Sequence, residues 1–349
     1  MKSSLFYISS LYCLLVAGVS CSYNPALPDK DSAPLYFNLK QNDTAVVIET
    51  ISPFDGTVTS LSVSGPVRKI VCMSTTYVGF LEALGQEGSV CAVSGTGFVY
   101  NDKVRNGAAE AGYGDAVDYE KIVSLSPDLV LTYQVGAAEP RHVKKLRSLG
   151  ISVLLLHEHL EQDPLARAAY IRLFGALTGK LSLADSVYNS VSTAYYEVKE
   201  AVEKASGQVR KVLVNAPYGD IWYVPGERSY FSRLVSDAGG VVLGSAQGTT
   251  VSGVISVEKA YELSAEADFW LNPGIFTDRE SLLSSNPLFK DFASADKPIY
   301  NNTARMSPGG GNDFYESGAV RPDLILQDLA GIFHPETVGN GILHYFFEL

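Results

Sequence analysis

The sequence has little cysteine, methionine or tryptophan: 4 Cys, 3 Met and 2 Trp among 349 residues. No cysteine pair has the spacing of a zinc site, which argues against a metal centre held by thiolates. Beyond the N-terminus no apolar run reaches the length of about 18 residues that a membrane-spanning helix needs. Basic residues are also scarce, since 27 Lys+Arg against 38 Asp+Glu give a net charge of −11. This balance argues against a basic surface for nucleic acid or an anionic membrane.

The sequence does contain enough apolar material for a large folded protein. Hydrophobic residues make up 46% of the chain and charged residues 19%, which is typical of a globular protein. At roughly 150 residues per domain, the length predicts two domains. Tyrosine is abundant, with 20 residues.

The N-terminal residues have the features of a secretory signal. Lys2 precedes an apolar run that is too short to span a membrane, and small residues lie directly before Cys21. Such an arrangement resembles a bacterial lipobox, although Gly18 stands where a large aliphatic residue is usual. We predict a lipoprotein signal peptide over 1–21, lipidation of Cys21 and a flexible tether over 22–43. A plain cleaved signal is the alternative.

Cys72 and Cys91 are the cysteines of the predicted folded part, and both lie in short strand-like runs (KIVCMS and SVCAVS). An oxidising compartment would permit a disulfide between neighbouring strands. Two buried thiols are the preferred prediction.

Strand-like and helical patterns alternate on either side of one long helical stretch. Strands that alternate with helices predict parallel sheets covered by helices on both faces. We therefore predict an α/β fold with two lobes joined by a helical connection. The N-terminal lobe covers 44–161 and begins with a β-hairpin-like prelude, the connecting helical segment covers 162–207, and the C-terminal lobe covers 208–349.

The two lobes share one similar stretch of sequence. Residues 120–126 (EKIVSLS) and 258–264 (EKAYELS) each predict a helix, and each is followed by an aspartate and a strand. Glu120 and Glu258 are therefore matching positions in the two lobes.

The residues that follow each strand form the candidate site, because ligands of open α/β sheets bind outside the carboxyl ends of the strands. These segments contain aromatic side chains, amides and glycine-rich loops, which suit a concave and partly apolar pocket. Rigid aromatic faces suit a large planar or multi-ring ligand. The predicted ligand-binding residues are Tyr77, Phe98, Tyr100, Tyr133, His157, Tyr218, Trp222, Tyr223, Asn301, Arg305, Asn312 and Asp313.

Signatures of enzymes are incomplete in this sequence. Ser94 lacks the preceding glycine of a nucleophile elbow, and residues 157–161 (HEHLE) lack the second histidine of a zinc-protease helix. A secreted α/β hydrolase, which would pair His157 with Ser74 or Ser94, stays one alternative. A protein that binds free zinc or manganese through three or four His or carboxylate ligands is another.

Four segments of the sequence resemble one protein family. They are MSTTYVGFLEALG, YEKIVSLSPDLVLTY, NAPYGDIWYVPG and YNNTARMSPGGGNDFYESGAVRPDLILQDLAGIFHPE. The sequence resembles the class III periplasmic substrate-binding proteins of ABC importers, which bind iron chelates, haem or cobalamin, and in particular their Bacteroidetes-type branch. The resemblance extends over residues 44–338.

The resemblance implies two Rossmann-like lobes with parallel sheets, joined by a long α-helix, with the ligand cleft between them and limited closure. It implies a carrier without enzymatic activity or a cofactor of its own. The expected partners are an ABC permease and its ATPase, to which Glu120 and Glu258 would dock, and no nucleic acid. We expect a periplasmic monomer that meets the membrane only through its lipid anchor.

The transported ligand would be a metal chelate, with an iron-siderophore and cobalamin ranked nearly equal and haem third. An anionic catecholate siderophore favours arginines, for which Arg305 and Arg228 are the candidates. Tyrosine and tryptophan walls suit cobalamin. Haem prefers an axial Tyr or His, and the candidates are Tyr77, Tyr100, Tyr133 and His157.

Overall fold

The computed structural model describes residues 33–41, 44–114, 116–205, 207–219, 221–339 and 341–349. The predicted signal peptide, Cys21 and the first part of the tether lie outside the described residues. Within the described ranges, no helix is both long and apolar enough to cross a membrane.

A three-stranded antiparallel sheet comes first: β1 (Phe37–Gln41), β2 (Val46–Ile51) and β3 (Val58–Val63). Alternation along the strands turns Phe37, Ile48 and Val63 into the N-terminal core. Phe37 packs on the ring of Tyr170, with ring centroids 4.5 Å apart. β1 lies inside the segment 22–43 that the sequence predicts as a tether, so that part of the segment belongs to the folded lobe.

The N-terminal lobe is a parallel five-stranded sheet flanked by helices. Its strands are β4 (Ile70–Cys72), β5 (Val90–Val93), β6 (Ala109–Glu110), β9 (Leu129–Tyr133) and β10 (Val153–Leu156), and β7 (Gly112–Tyr113) with β8 (Ala116–Val117) forms a separate antiparallel pair. The helices are α1 (Thr75–Ala83), α2 (Asp102–Gly107), α3 (Tyr119–Leu125) and α4 (Arg141–Ser148). The strand order is β10-β9-β4-β5-β6.

Three helices lead from the N-terminal lobe to the second lobe: α5 (Pro164–Ala168), α6 (Tyr170–Thr178) and α7 (Leu181–Lys204). The 24 residues of α7 rise about 36 Å at 1.5 Å per residue. Ala184 and Tyr188 of α7 pack in the N-terminal core, and Val191 and Tyr195 pack in the C-terminal core. One continuous helix therefore contributes side chains to both cores.

The C-terminal lobe repeats the parallel architecture. Its strands are β11 (Arg210–Val214), β12 (Trp222–Val224), β13 (Gly240–Val242), β14 (Gly253–Ile255), β15 (Phe269–Leu271), β16 (Ile299–Asn301) and β17 (Phe347–Glu348). Its helices are α8 (Tyr230–Asp237), α9 (Val257–Ser264), α10 (Arg279–Ser285), α11 (Asp313–Glu316), α12 (Pro322–Phe333) and α13 (Pro335–Val338). The order is β13-β11-β15-β16-β17 with only β17 antiparallel, and β12 pairs with β14.

The chain crosses between the lobes a second time, which the sequence analysis did not predict. Phe314 packs in the C-terminal core, whereas Ala319 and Val320 pack in the N-terminal core. The segment 208–349 is therefore not confined to one lobe, and the two lobes are joined at two places.

Cys72 and Cys91 are both free thiols. They lie on the neighbouring strands β4 and β5, but Cys72 packs in the core on one face and Cys91 packs with Val71 on the other. Side chains on opposite faces of a sheet cannot bond to each other. Cys72 is buried as predicted, whereas Cys91 is only half-buried.

We expect both tryptophans to be inaccessible to iodide in the folded protein, because Trp222 and Trp270 are 0% exposed. They lie parallel to Phe292, with centroids 5.9 and 5.8 Å from its ring. A Stern–Volmer titration in buffer should give a nearly flat line, and the same titration in urea should give a steep one. A steep line in buffer would contradict this packing.

Candidate functional site

The candidate site is a cleft between the lobes, at the carboxyl ends of the strands. One cavity of about 890 Å³ is lined from both lobes, and an adjoining cavity of about 1070 Å³ is lined by the N-terminal lobe. Thr75 and Phe98 line both cavities, so the two meet at these residues. The size suits a large ligand, since ligand pockets commonly measure about 300–1,000 Å³.

Asparagines follow three adjacent strands of the C-terminal sheet on the cleft side. Asn215 follows β11, Asn272 follows β15 and Asn302 follows β16, and all three line the 890 Å³ cavity. Asn215 and Asn272 have left-handed backbones (φ 69° and 56°), which asparagine adopts more readily than most residues. Oδ1 of Asn272 has no hydrogen-bond partner among the described residues, so an acceptor is left unsatisfied beside the cleft.

The cleft carries little charge. Among the described residues that line the 890 Å³ cavity there is no Asp, Glu, Lys, Arg or His. The N-terminal cavity has Arg141 and His142, and Nε2 of His142 lies 2.9 Å from Oγ1 of Thr132. Burial lowers the pKa of His142, which favours its neutral form. An ionic ligand would therefore find few counter-charges here.

Aromatic and large apolar side chains face both cavities. Tyr218 is 85% exposed on the C-terminal wall, and Phe98 packs against the ring of Tyr113 with centroids 5.1 Å apart. Such exposed aromatic faces can stack on a flat or multi-ring ligand. The lining residues of this kind are Phe98, Tyr113, Tyr119, Tyr133, Val135, Tyr218, Tyr223, Ile275, Phe276, Phe289 and Tyr315.

Five of the predicted ligand-binding residues line the cleft. Phe98, Tyr218, Tyr223 and Asn312 border the 890 Å³ cavity, and Tyr133 borders the N-terminal one. Asn312 also caps α11, since its Oδ1 accepts the amide of Phe314 at 3.0 Å. These five residues stay predicted ligand contacts.

Three predicted residues are buried outside the cleft, and the prediction is corrected for them. Tyr77 lies on the inner face of α1 in the N-terminal core, and Trp222 lies on the inner face of β12 in the C-terminal core. His157 lies between the rings of Tyr36 and Phe54, each centroid 6.4 Å away. Burial and the nearby His159 lower the pKa of His157 to about 4, so it is neutral at physiological pH.

Asn301 is also buried, and it acts as a support instead of a ligand contact. Its Nδ2 donates to the carbonyl oxygens of Gly274 and Phe276, the latter at 2.9 Å. These bonds fix the loop that carries Ile275 and Phe276 into the cleft.

Arg305, Asp313 and Tyr100 form a closed group beside the cleft. Nε of Arg305 donates to Asp313 at 2.6 Å, and its guanidinium lies 4.9 Å from the ring centre of Tyr100. Asp313 is 1% exposed, so the arginine is needed to compensate a buried carboxylate. Arg305 is thus not a free cation for an anionic ligand, and Tyr100 lines a neighbouring cavity of about 610 Å³.

Sequence reasoning missed several residues of the cleft. Asn215 and Asn272 directly follow strands, so the rule that ligands bind at the carboxyl ends of strands is the signal that could have identified them. Tyr113 has no local signal, because the short pair β7–β8 brings it beside Phe98. Tyr315 lies in the glycine-rich segment that the sequence analysis singled out only in part.

Glu316 joins the two halves of the chain through hydrogen bonds to the segment that carries Phe98. Its carboxylate accepts the amides of Tyr100 and Asn101, at 2.7 and 2.9 Å, and its side chain is 0% exposed. Burial raises the pKa of Glu316 to about 7, and the neighbouring Asp313 and Glu82 act in the same direction.

Glu120 and Glu258 have equivalent surroundings in the two lobes. Each is exposed in the first turn of a helix, α3 or α9, whose N-cap is Asp118 or Ser256. The aspartates that follow these helices also match, since Asp128 accepts the amide of Lys69 and Asp268 accepts that of Lys211. The similar stretches of sequence at 120–126 and 258–264 therefore correspond to a repeated local structure.

Comparison with known proteins bears directly on this fold. Residues 70–303 match the family model described as periplasmic binding protein. The chain belongs to the periplasmic binding protein family. Its members are substrate-binding proteins of ABC transporters and are not enzymes. The hydrolase alternative lacks its base, because His157 is buried. One of its two candidate nucleophiles, Ser74, is used in the fold, since its Oγ accepts the amide of Thr76.

Two relatives of this periplasmic binding protein are lipoproteins. An uncharacterized lipoprotein of Methanocaldococcus jannaschii is 25% identical over 81% of this chain and 69% of its own length. An uncharacterized ABC transporter substrate-binding lipoprotein of Bacillus subtilis is 26% identical over 48% of this chain and 53% of its own length.

Solved structures share the fold of this periplasmic binding protein. A periplasmic binding protein from Veillonella parvula gives a TM-score of 0.61 at 16% identity, over 83% of this chain and 98% of its own. A periplasmic heme binding protein from Pseudomonas aeruginosa gives 0.60 at 18%, over 78% and 94%. An ABC-type Fe3+-hydroxamate transport protein from Saccharomonospora viridis gives 0.58 at 17%, over 79% and 96%. The predicted fold, with two parallel-sheet lobes, is confirmed.

We expect Glu316 to make this periplasmic binding protein less stable as the pH rises. Its pKa is about 7 when folded against an ordinary 4.5, so unfolding releases a proton between these values. The free energy of unfolding should fall by about 1.4 kcal/mol per pH unit from this group over that window, and then level off.

Urea unfolding at pH 5 to 8 would measure this slope. Glu316→Gln should flatten it, whereas Glu203→Gln, the same change at an exposed position on α7, should leave it unchanged. Equal slopes in wild type and Glu316→Gln would show that the Glu316 carboxyl does not titrate in this way.

Proposed function

We propose that this protein is the lipid-anchored substrate-binding component of an ABC importer and that it carries a bulky, largely uncharged metal chelate to a membrane permease. The observation that carries the proposal is the lining of the 890 Å³ cavity, which among the described residues has aromatic rings and asparagines but no charged side chain. Aromatic rings stack on flat ligand surfaces, and amides hydrogen-bond uncharged polar groups.

The cleft chemistry distinguishes among the chelates. An anionic catecholate needs several cations, but Arg305 is paired with Asp313 and Arg228 lines neither cavity of the cleft. Arg141 is the single arginine among the described residues that line the cleft. A ferric hydroxamate or a corrinoid has an uncharged periphery rich in amides, which the asparagine-lined wall complements. The similar fold of the Fe3+-hydroxamate transport protein agrees with the first of these.

Haem is a further candidate, favoured by the exposed cleft tyrosines. Tyr133, Tyr218 and Tyr223 each offer a phenol oxygen as an axial ligand, whereas Tyr77 and His157 are buried away from the cleft. A periplasmic heme binding protein is among the proteins of similar fold. Haem ranks third because its two propionates would meet few cations in this cleft.

The cellular setting belongs to the same proposal. A signal peptide over 1–21, lipidation of Cys21 and export to the periplasm agree with the two lipoprotein relatives. We also propose that the protein is a monomer of the Bacteroidetes-type class III branch, on the motif that contains GNDFYESG and ends in FHPE. In this proposal the N-terminal lobe ends near residue 161 and the C-terminal lobe begins near residue 208, except that residues 319–320 pack in the N-terminal core.

The permease would dock over the mouth of the cleft. Helices α3 and α9 each lead into a parallel strand, α3 into β9 and α9 into β15, and such a crossover helix begins at the carboxyl edge of its sheet. Tyr119, next to Glu120, lines the N-terminal cavity, and β14, just before Glu258, pairs with the strand of Tyr223. Two exposed carboxylates on either side of the cleft would meet cations of the permease and set its register.

We expect at least one uncharged chelate to bind with micromolar or tighter affinity. The probes are cyanocobalamin, ferrichrome as the ferric hydroxamate, haemin, and ferric enterobactin as the anionic catecholate, each followed by its own absorption bands. The catecholate should bind at least about 100-fold more weakly, because its charge would be buried without a partner. Tightest binding of the catecholate would refute the uncharged-ligand proposal, and no binding of any probe would refute the chelate function.

A charge introduced at Thr303, which lines the cavity, would test the same point. Thr303→Arg should raise the affinity for the catecholate about tenfold and should not raise that for the uncharged chelates. Ser60→Arg adds the same charge on an exposed position of β3 and should change neither affinity.

We expect Glu120→Lys and Glu258→Lys to impair delivery but not capture. With the permease and ATPase in liposomes, each reversal should lower uptake at least about tenfold, since like charges would then meet. Chelate affinity should stay within about twofold, because neither side chain lines the cleft. Glu203→Lys on α7 is the matched control. If it loses uptake as well, the effect comes from the change in net charge and not from docking at Glu120 and Glu258.

A further inference from the structure

One loop stands where the two cavities of the cleft meet. Residues 95–101 carry Phe98, which lines both cavities. The N-terminal lobe holds the start of this loop, because the carboxylate of Glu110 accepts the amides of Gly95 and Thr96 at 2.8 and 2.7 Å. The conformation of this loop decides where Phe98 stands.

The other half of the chain holds the end of the same loop. Glu316 accepts the amides of Tyr100 and Asn101, as described above, and Oγ of Ser307 donates to the carbonyl oxygen of Gly97 at 3.0 Å. Thr76 of α1 donates in turn to the carbonyl oxygen of Tyr315 at 2.9 Å. Each half of the chain therefore both donates and accepts hydrogen bonds across this contact.

Glycines allow the two backbones to approach closely. A Cβ on Gly309 would lie 2.2 Å from the carbonyl oxygen of Gly97, and one on Gly311 would lie 1.8 Å from that of Phe98. Both distances are far inside van der Waals contact, so no other residue fits at these positions without moving the loop. The run of three glycines in the sequence thus has a packing role at this contact.

We propose that Glu316 is a positioning residue of the cleft: its carboxylate fixes residues 95–101 to the C-terminal half, so that Phe98 stands between the two cavities before a ligand arrives. Movement of the lobes away from each other at this contact would expose the carboxylate and leave two amides without their acceptor. The ligand part of this inference rests on the proposed function, whereas the fixing of the loop does not.

Amide hydrogen exchange in the ligand-free protein tests the fixing of the loop directly. At pH 8, above the pKa of about 7, the Glu316 carboxyl is charged, so the amides of Tyr100 and Asn101 should exchange about 10- to 100-fold faster in Glu316→Gln because a bond to a charged acceptor is lost. Glu203→Gln should leave both rates unchanged. Unchanged exchange in Glu316→Gln would overturn the proposal.

Stopped-flow binding of cyanocobalamin or ferrichrome tests the effect on the cleft. Glu316→Gln should lower the association rate constant and leave the dissociation rate constant unchanged, because fewer molecules have the competent loop. Phe98→Ala, which removes a contact, should instead raise the dissociation rate constant. A melting temperature for each variant separates these effects from loss of folding.

The double variant decides whether Glu316 acts through Phe98. In the Phe98→Ala background, Glu316→Gln should change the association rate constant by less than about twofold. An undiminished effect in that background would overturn the proposal. If neither chelate binds to the wild type, the proposed function is wrong, and the exchange experiment alone decides whether Glu316 holds the loop.

Discussion

A buried carboxylate that binds the backbone of the opposite lobe is the constraint on which the cleft depends. Glu316 satisfies two amides of the N-terminal lobe, and the chain beyond it continues into the N-terminal core through Ala319 and Val320. The long helix α7 joins the lobes a second time. Two connections leave much less freedom than one hinge, so the cleft is largely formed before it is filled.

The scarcity of charge among the described residues of the cleft follows in part from how the neighbouring polar side chains are used. Arg305 compensates Asp313, Asn301 holds the loop of Ile275, and Glu316 holds the loop of Phe98. What remains at the surface of the 890 Å³ cavity, among the described residues, is uncharged, with aromatic rings and amides prominent. If the proposed function is correct, selectivity against ionic ligands would come from desolvation without compensation, and not from a repulsive group.

The alternation of strands and helices was enough to predict the two lobes, because covered parallel strands are short apolar runs that stand out from amphipathic helices. Side-chain direction was not predictable in the same way. Trp222 and Tyr223 are neighbours on β12, and only the second faces the cleft. Tyr77 follows a strand but lies on the buried face of α1. His157 is covered by Tyr36 and Phe54, which flank the strands of the first, antiparallel sheet. These outcomes depend on contacts between segments far apart in sequence, which no local pattern contains.

The repeated stretch shows where sequence alone did reach a three-dimensional relation. In each lobe a capped helix ends before an aspartate that binds the amide at the entry of the neighbouring strand, Asp128 for β4 and Asp268 for β11. This bond fixes the helix relative to the sheet in the same manner twice. The equivalent positions of Glu120 and Glu258, each in the first turn of its helix, are then a consequence of the shared topology.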